Sequence, residues 1–385
     1  MKMRIFLIAG EASGDQLGRG LMRALRQACP DVTFCGVGGA AMAGAGLTSL
    51  YPLEDLSVMG FLPVVRNLPR LLKRMDETVA AVLRDMPDAL VIIDSPDFTH
   101  RVAKRVRRAM PSLPIIDYVS PTVWAWRPGR ARQMRGYIDH VLALLPFEPA
   151  AYGRLHGPPC SYIGHPLIER LGDLTPGPED LLRRNQTPPL IVVLPGSRHS
   201  EIVRLMPIFA QTLNLLAQRI GAFDCVLPAV AHLEAEIRDQ VAAWPIKPRV
   251  ISTEDEKFAS FRRARAALAA SGTATLELAL AAVPMVVAYK VSMLESLARP
   301  FIKVPSIVLP NLILGENIVP EFLQENCRPQ ALAAALAAIV EDGPARQMQT
   351  SGFPAIAGHL RLPAGEMPSS RAAAVVLDTL ASAAA

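Results

Sequence analysis

The feature that most limits the fold is a regular alternation of short apolar runs with longer helical patterns. In the first half of the chain the apolar runs span residues 5–9, 32–36, 89–93, 115–119 and 141–145. Helical patterns lie between them, as at residues 17–29, 68–85 and 101–109. Strands that alternate with helices form parallel sheets with helices on both faces. The first half therefore predicts a doubly wound α/β domain.

The same alternation begins again near residue 190. Apolar runs at 190–194, 224–228, 249–252, 267–270 and 284–289 alternate with helical patterns. The length of 385 residues also exceeds the roughly 250–300 residues at which a single core stops growing. We therefore predict two Rossmann-like doubly wound domains facing a cleft, with ligands at the carboxyl ends of the strands.

Composition along the chain suggests where these domains end. Residues 172–189 are rich in Pro, Gly and charge, which is typical of a linker. This linker would separate a first domain at residues 1–171 from a second domain at 190–364. Residues 365–385 include a short helical pattern. The sequence leaves open whether this helix packs on the first domain or on a partner chain.

Other patterns argue against several classes of protein. No apolar run reaches the ~18–20 residues of a membrane span, and the apolar stretch near the N-terminus is shorter than the roughly 7–15 residues of a signal peptide. We therefore expect a cytoplasmic protein. The five cysteines are scattered without a CxxC pair, and the histidines form no HxxxH or HExxH pattern. We expect no disulfide framework, no metal and no cofactor.

Charge is distributed unevenly along the chain. Residues 1–165 contain 20 Lys and Arg against 14 Asp and Glu, a net charge of +6, whereas residues 166–385 contain 20 against 21. A basic half suggests an anionic partner, which could be a phosphate, a nucleic acid or an anionic lipid. A basic face that is merely solvated is the alternative.

The string GEASGD at residues 10–15 follows the first predicted strand and opens a helix. Its small residues allow a ligand to approach the backbone, and helix N-termini favour anions. Glu11 and Asp15 make the turn unsuitable for a bare phosphate, and carboxylates suit sugar hydroxyls better. The spacing is not GxGxxG, so a dinucleotide site is disfavoured. An ordinary strand–helix turn is the alternative.

Two further strings end strands of the first half. IDSPDF at 93–98 contains Asp94 and Asp97, two carboxylates in the position where acid–base chemistry occurs in such sheets. Alternatively, one of these two aspartates caps the following helix and the other stabilises the turn. SPTVWAWR at 120–127 contains two of the three tryptophans. Their rings suit sugars or acyl chains, and Arg127 suits a phosphate.

Two strings of the second half favour a nucleotide. LPGSR at 194–198 combines Gly196, which gives access to the backbone, with Arg198, which can pair with a diphosphate. SGTATLE at 271–277 offers backbone N–H groups and hydroxyls to a diphosphate. Its Glu277 can accept hydrogen bonds from ribose hydroxyls. This string resembles the nucleotide site of GT-B glycosyltransferases.

An apolar stretch at residues 58–65 precedes Arg66, Arg70, Lys73 and Arg74. Apolar residues beside basic ones suit the surface of an anionic bilayer or a groove for acyl chains. An amphipathic helix packed on the core is the alternative.

Taken together, these strings resemble those of the lipid-A-disaccharide synthase family. The strings are GEASGD (10–15), IDSPDF (93–98), SPTVWAWR (120–127), LPFEP (145–149), YIGHP (162–166), LPGSR (194–198), SGTATLELAL (271–280) and VPEFLQ (319–324). The resemblance implies a GT-B fold and an inverting transfer of 2,3-diacylglucosamine from UDP-2,3-diacylglucosamine. The acceptor would be the 6-hydroxyl of 2,3-diacylglucosamine 1-phosphate (lipid X), and the products a β-1,6-linked disaccharide 1-phosphate and UDP.

The resemblance, read with the residues, also implies roles. Asp97 is the predicted base that activates the acceptor hydroxyl, with Asp94 second, and Arg198 would neutralise the leaving diphosphate. Ser271, Gly272 and Thr273 would hold the phosphates and Glu277 the ribose. The other predicted substrate contacts are Glu11, Ser13, Gly14, Asp15, Trp124, Arg127, Gly196, Ser197, Glu201, Asn311 and Gln324. The basic–apolar stretch would contact the cytoplasmic face of the inner membrane. The resemblance implies no nucleic acid partner and leaves a homodimer open.

Three other functions fit part of the sequence. A soluble UDP-sugar enzyme, such as a UDP-N-acetylglucosamine epimerase, would share the second-domain site but needs no lipid-facing stretch. A nicotinamide-dependent oxidoreductase would need GxGxxG after a strand, which neither GEASGD at 10–15 nor the Gly38-Gly39 pair after the second predicted strand provides. A non-catalytic nucleotide-binding protein needs no paired carboxylates.

Overall fold

The computed structural model describes residues 3–56, 61–291 and 304–384. It divides into two compact units. The first domain consists of Met1–Ile168 together with Leu360–Ala385, and the second domain of Glu169–His359.

The first domain contains a parallel sheet of six strands in the order β2-β1-β3-β4-β5-β6. The strands are β1 (Arg4–Ala9), β2 (Thr33–Val37), β3 (Ala89–Ile93), β4 (Ile115–Tyr118), β5 (His140–Ala143) and β6 (Cys160–Tyr162). The helices are α1 (Ala12–Ala28), α2 (Ala40–Gly44), α3 (Phe61–Asp85), α4 (Pro96–Ala109), α5 (Gly129–Met134) and α6 (Glu148–Arg154). The strand order reverses beside β1, so the loops after β1 and β3 lie next to each other at the carboxyl edge.

Side chains of the central strands alternate between two apolar layers. On β1, Ile5 and Leu7 belong to the cluster that also contains α1, whereas Phe6 and Ile8 belong to the cluster that contains α4. Successive strand residues point to opposite faces, so a strand covered on both faces must be apolar throughout. Burial of each such side chain contributes about 1.5–3 kcal/mol.

The second domain repeats this architecture with the strand order β12-β11-β10-β7-β8-β9, again parallel. Its strands are β7 (Leu190–Leu194), β8 (Asp224–Pro228), β9 (Arg249–Ile251), β10 (Ala266–Ala270), β11 (Met285–Tyr289) and β12 (Glu321–Leu323). Its helices are α7 (Leu171–Leu174), α8 (Pro178–Arg184), α9 (His199–Ile220), α10 (Glu234–Ala242), α11 (Glu254–Arg263), α12 (Ala274–Leu280), α13 (Leu309–Leu314), α14 (Pro329–Val340) and α15 (Pro344–Leu360). The two sheets confirm the prediction of two Rossmann-like doubly wound domains.

The range 172–189, which we predicted as a linker, contains α8 and most of α7 and lies in the second domain. Arg184 is buried, and its guanidinium donates hydrogen bonds to four carbonyl oxygens, those of Phe261, Arg262, Ala281 and Ala282. Asp180 accepts hydrogen bonds from Arg262 and Arg263. These contacts hold the segment against α11 and the end of α12.

After α15 the chain returns to the first domain and forms a last helix, α16 (Pro368–Ala384). It packs against α1, with Ala372, Ala373 and Val376 buried in the same cluster as Leu21 and Leu25. The C-terminal helix therefore lies on the first domain.

No helix within the described residues has the length and hydropathy needed to span a membrane.

Candidate substrate sites at the strand ends

The GEASGD and IDSPDF strings lie side by side at the carboxyl edge of the first sheet. The Gly10 N–H donates to the Ile93 carbonyl at 3.2 Å, the Ser95 hydroxyl to Glu11 at 3.3 Å, and the Ser13 hydroxyl to Asp94 at 3.3 Å. A Cβ at Gly10 would lie 2.1 Å from that of Ser95. Glycine is therefore required at position 10 for the two loops to meet.

Asp94 and Ser95 form a strained turn between β3 and α4. Both have left-handed backbones, with φ values of 57° and 45°, a conformation that costs of order 1 kcal/mol or more for residues with a Cβ. The Asp94 carboxylate accepts a hydrogen bond from the Ser95 N–H at 2.8 Å. The Asp94 carboxylate therefore stabilises its own turn and also binds the Ser13 hydroxyl.

Asp97 differs from Asp94 in its exposure. Its side chain is 91% exposed and lies 3.8 Å from the guanidinium of Arg130. It lines a pocket of about 420 Å³. The Asp97 carboxylate is therefore accessible to a ligand that binds in this pocket.

Asp15 has a structural contact that the sequence prediction did not include. Its side chain is buried, and its carboxylate accepts hydrogen bonds from the N–H groups of Gly39 (2.8 Å), Ala41 (2.8 Å) and Met42 (3.0 Å). These N–H groups belong to the N-terminal turn of α2, which has no earlier carbonyls to accept them. The Asp15 carboxylate therefore fixes this turn, and its predicted place near the sugars stays a prediction.

Gly14 also has a packing role. A Cβ at this position would lie 3.2 Å from the carbonyl oxygen of Ile93. Its lack of a side chain lets α1 lie close to β3.

The two tryptophans of the SPTVWAWR string have different environments. The Trp124 indole donates to Glu148 at 3.0 Å and packs edge-on against Phe147. Trp126 is partly exposed, and the Arg127 guanidinium lies 4.2 Å from the centre of its ring. Trp124 is therefore held by an internal contact, whereas Trp126 and Arg127 form an exposed stacked pair.

Glu148 is a residue that the sequence reasoning did not single out, although it lies in the LPFEP string. It is buried and also accepts a hydrogen bond from the Leu145 N–H at 2.9 Å. Burial raises the pKa of Glu148 to about 7, and the hydrogen bonds from Leu145 and Trp124 oppose this rise.

In the second domain, Glu201 organises the loop after β7. Its carboxylate accepts hydrogen bonds from the N–H groups of Ser197 (3.0 Å) and Arg198 (3.3 Å) and from the Arg198 guanidinium (3.1 Å). Gly196 has φ 119°, and a Cβ there would meet the Glu201 carboxylate at 2.3 Å. The buried Glu201 carboxylate therefore caps α9 and orients Arg198, and its predicted contact with substrate stays a prediction.

Gly272 and Thr273 are exposed in the loop after β10. The Ser271 hydroxyl donates to the Ile307 carbonyl at 2.8 Å, which fixes the start of this loop. Glu277, one turn into α12, forms an ion pair with Lys257 at 2.5 Å. Sequence reasoning missed Lys257 because it lies on α11, twenty residues away along the chain.

The two weaker candidates, Asn311 and Gln324, brace loops. Asn311 is buried, exchanges two hydrogen bonds of 2.9 Å with the backbone of Val319 and donates to Ser306. The Gln324 amide oxygen accepts from the Val291 N–H at 3.2 Å. The Asn311 amide therefore holds the chain around Val319 in place, and its predicted contact with the donor stays a prediction.

Within the part of the chain that the structure describes, no group of three or more His, Cys, Asp or Glu side chains is placed to hold a metal ion.

Comparison with known proteins gives a family match over most of the chain. The family model described as Lipid-A-disaccharide synthetase matches residues 5–374. A lipid-A-disaccharide synthase of Nitrobacter hamburgensis is 55% identical over 379 residues, which cover 98% of this chain and 96% of that protein.

Solved structures are similar in fold. The UDP-GlcNAc 2-epimerase of Neisseria meningitidis bound to UDP-GlcNAc has a TM-score of 0.62 at 12% identity, covering 99% of this chain and 100% of that one. CalG4, the calicheamicin glycosyltransferase, has a TM-score of 0.57 at 16% identity, covering 99% of both chains. This likeness shows the fold alone, and it agrees with the predicted GT-B class.

The contacts of Asp15 predict a loss of stability in Asp15→Ala. Three N–H groups, that of Met42 buried and those of Gly39 and Ala41 partly buried, would lose a charged acceptor, so we expect the free energy of unfolding to fall by roughly 2–4 kcal/mol. Asp97→Ala removes an exposed carboxylate and is the matched control, with a change within about 0.5 kcal/mol. Urea denaturation followed by tryptophan fluorescence measures both. Equal stabilities of the two variants would contradict the assignment of Asp15 to the fold.

The raised pKa of Glu148 predicts a pH dependence of stability. The pKa of Glu148 is about 7 in the folded protein, against an ordinary 4.5. The contribution of this protonated carboxyl to stability is fully present below pH 4.5. It is lost as the pH rises through 7, because the unfolded chain ionises first. Glu148→Gln lacks this loss. We therefore expect the melting temperature of Glu148→Gln, relative to the unsubstituted protein, to rise between pH 5 and pH 8. The exposed Glu179→Gln should show no such trend, and a flat difference for Glu148→Gln would contradict the account.

Proposed function

The chain belongs to the lipid-A-disaccharide synthase family, and we propose that it transfers 2,3-diacylglucosamine from its UDP derivative to the 6-hydroxyl of 2,3-diacylglucosamine 1-phosphate. The products are the β-1,6-linked disaccharide 1-phosphate and UDP. The observation that carries this proposal is the family match over residues 5–374.

The second domain supplies the donor site in this proposal. The exposed residues Gly272 and Thr273 bind the diphosphate, and Glu277, held by Lys257, accepts hydrogen bonds from the ribose. Arg198 pairs with the diphosphate as negative charge develops on it. The contact with Glu201 limits the orientations of Arg198 before the donor binds, which reduces the entropy lost on binding.

The first domain supplies the acceptor site and the base. The Asp97 carboxylate takes the proton of the acceptor 6-hydroxyl, and the oxygen attacks the anomeric carbon of the donor. The bond between that carbon and the diphosphate oxygen breaks, and its electron pair leaves with UDP. A single displacement of this kind inverts the anomeric centre. Asp97 is favoured over Asp94 because the Asp94 carboxylate already accepts hydrogen bonds from Ser95 and Ser13.

A UDP-sugar epimerase is the alternative that shares the donor site. The likeness to the Neisseria epimerase is one of fold, at 12% identity. The Nitrobacter hamburgensis relative is a lipid-A-disaccharide synthase, and the match at 55% identity covers 96% of its length. The synthase is therefore the function that we retain.

We also propose that α3 contacts the anionic inner membrane from the cytoplasmic side. Leu68 and Leu72 are 42% and 43% exposed on successive turns of this helix. The Lys73 side chain is 75% exposed beside them. Apolar side chains flanked by a cation suit the interface of an anionic bilayer.

The basic cluster of this stretch is only partly available to a membrane. Arg74 pairs with Asp55 and Glu77, and its guanidinium lies 4.6 Å from the ring centre of Tyr51. Arg70 also pairs with Asp55. Residues 58–60 lie outside the described residues, as do the side chains of 61–67.

A product assay with base variants tests the reaction. The purified protein, mixed in detergent with UDP-2,3-diacylglucosamine and 2,3-diacylglucosamine 1-phosphate, should form a tetraacyl disaccharide phosphate and UDP by mass spectrometry. Asp97→Ala and Asp97→Asn should lower turnover at least ~10²-fold, the scale of general-base loss. Asp239→Asn, an exposed carboxylate on α10, is the control and should retain full turnover.

Each outcome of this assay has a distinct meaning. UDP release without any disaccharide, under every detergent and salt condition, would refute the transferase. Normal turnover of correctly folded Asp97→Asn, with loss in Asp94→Asn, would transfer the role of base to Asp94.

The membrane proposal predicts weaker vesicle binding by Leu68→Ser combined with Leu72→Ser. Loss of two exposed leucines should lower binding to phosphatidylglycerol-containing vesicles by at least ~10-fold, because each buried CH₂ contributes about 0.8 kcal/mol. The control is Leu181→Ser combined with Leu182→Ser, two leucines that are also exposed, on α8. Co-sedimentation measures binding, and equal binding by the two double variants would refute the contact.

A further inference from the structure

The pocket beside Asp97 is lined by more positive charge than the base requires. Arg101 and Lys104 line it from α4, and Arg127 and Arg130 from the segment that enters α5. Asp97 is the one carboxylate among the lining residues. Cations gathered around a concave surface favour a ligand of high negative charge.

Three of these cations are held in place by their neighbours. The Arg130 guanidinium donates to the Pro96 carbonyl at 3.2 Å. Arg127 stacks on Trp126, and the Lys104 ammonium lies 4.9 Å from the ring centre of Tyr137. Side chains that are already ordered lose less entropy when they bind a ligand.

Helical spacing aligns the remaining groups. Asp97, Arg101 and Lys104 are separated by four and three residues on α4, so they share one face of the helix. The base therefore lies at one end of a row whose other members are cations. Behind this row, the buried His100 also lines the pocket. Its Nε2 lies 3.2 Å from an Asp117 carboxylate oxygen, and its Nδ1 lies 3.0 Å from the Tyr137 hydroxyl.

We propose that this basic pocket binds the 1-phosphate of the acceptor and thereby places the acceptor 6-hydroxyl at Asp97. The inference rests on the proposed function, because that reaction supplies an acceptor with both groups. In a hexopyranose, C1 and C5 flank the ring oxygen, and the 6-hydroxyl is carried by C6 on C5, so the 1-phosphate and the 6-hydroxyl project from the same edge of the ring. One pocket with a carboxylate at one end and cations beyond it matches this arrangement.

The pocket would contribute to selectivity as well as to affinity. A phosphate held by guanidinium groups fixes the sugar through charge-assisted hydrogen bonds, and Arg can make them in pairs. The same sugar without its phosphate leaves the cations unpaired and the 6-hydroxyl free to rotate away from Asp97. Positioning of this kind acts on the reacting hydroxyl and raises turnover.

The kinetic test compares two acceptors in two double variants. Arg101→Gln combined with Lys104→Gln should lower kcat/KM for 2,3-diacylglucosamine 1-phosphate at least ~10-fold, because charged hydrogen bonds are lost. For the acceptor without the phosphate, the same variant should match the unsubstituted protein. Arg108→Gln combined with Arg132→Gln removes two exposed charges on the same helices outside the pocket, and should change neither value. An equal loss on both acceptors would overturn the proposal.

A binding test separates this inference from the proposed function. Titration calorimetry with glucosamine 1-phosphate, which has no acyl chains, measures the affinity of the pocket even if no disaccharide forms. We expect binding to the unsubstituted protein and to the Arg108/Arg132 variant, and at least ~10-fold weaker binding to the Arg101/Lys104 variant. Binding by all three proteins alike would refute the site.

Phospholipid headgroups also contain a phosphate, so a separate experiment tests whether the pocket binds them. Co-sedimentation with phosphatidylglycerol vesicles should be the same for both double variants, since both remove two charges. If the Arg101/Lys104 variant lost vesicle binding and kept its affinity for glucosamine 1-phosphate, the pocket would be a membrane contact and the proposal would be wrong.

Discussion

The constraint on which the rest of the structure depends is that each parallel sheet is covered by helices on both faces. Central strands such as β3 and β10 are buried along their length and carry apolar side chains throughout, so polar chemistry is excluded from them. It is concentrated in the loops at the carboxyl ends. The candidate base follows β3, the stacked Trp126–Arg127 pair follows β4, and the candidate donor residues follow β7 and β10.

Polar residues at these strand ends divide into two kinds. Asp15, Glu201 and Asn311 have their polar atoms committed to the N–H groups of loops and helix ends that would otherwise lack partners. Asp97 and the exposed cations of its pocket remain open to a ligand. Residues bonded to the fold can hold residues that are open to a ligand in position, as Glu201 holds the Arg198 guanidinium.

The fold and the position of the site loops could be predicted from sequence, because buried strands leave uninterrupted apolar runs. Which residues serve the fold could not be predicted. Asp15 finds its partners in residues 39–42, and Arg184 finds its carbonyls 77 to 98 residues further on. Such contacts leave no local pattern, so the sequence could not reveal the partners of Asp15 or those of the 172–189 segment. Lys257 and Glu148 were missed for the same reason.

The central claim is that one displacement, assisted by Asp97, joins the two sugars. The anomeric configuration of the purified product, measured by proton NMR, tests it most directly. A single displacement predicts a β linkage to the 6-oxygen, with the anomeric configuration inverted relative to the donor. An α linkage would require two successive displacements, and it would contradict both the single-step mechanism and the assignment of Asp97 as the base that acts on the acceptor.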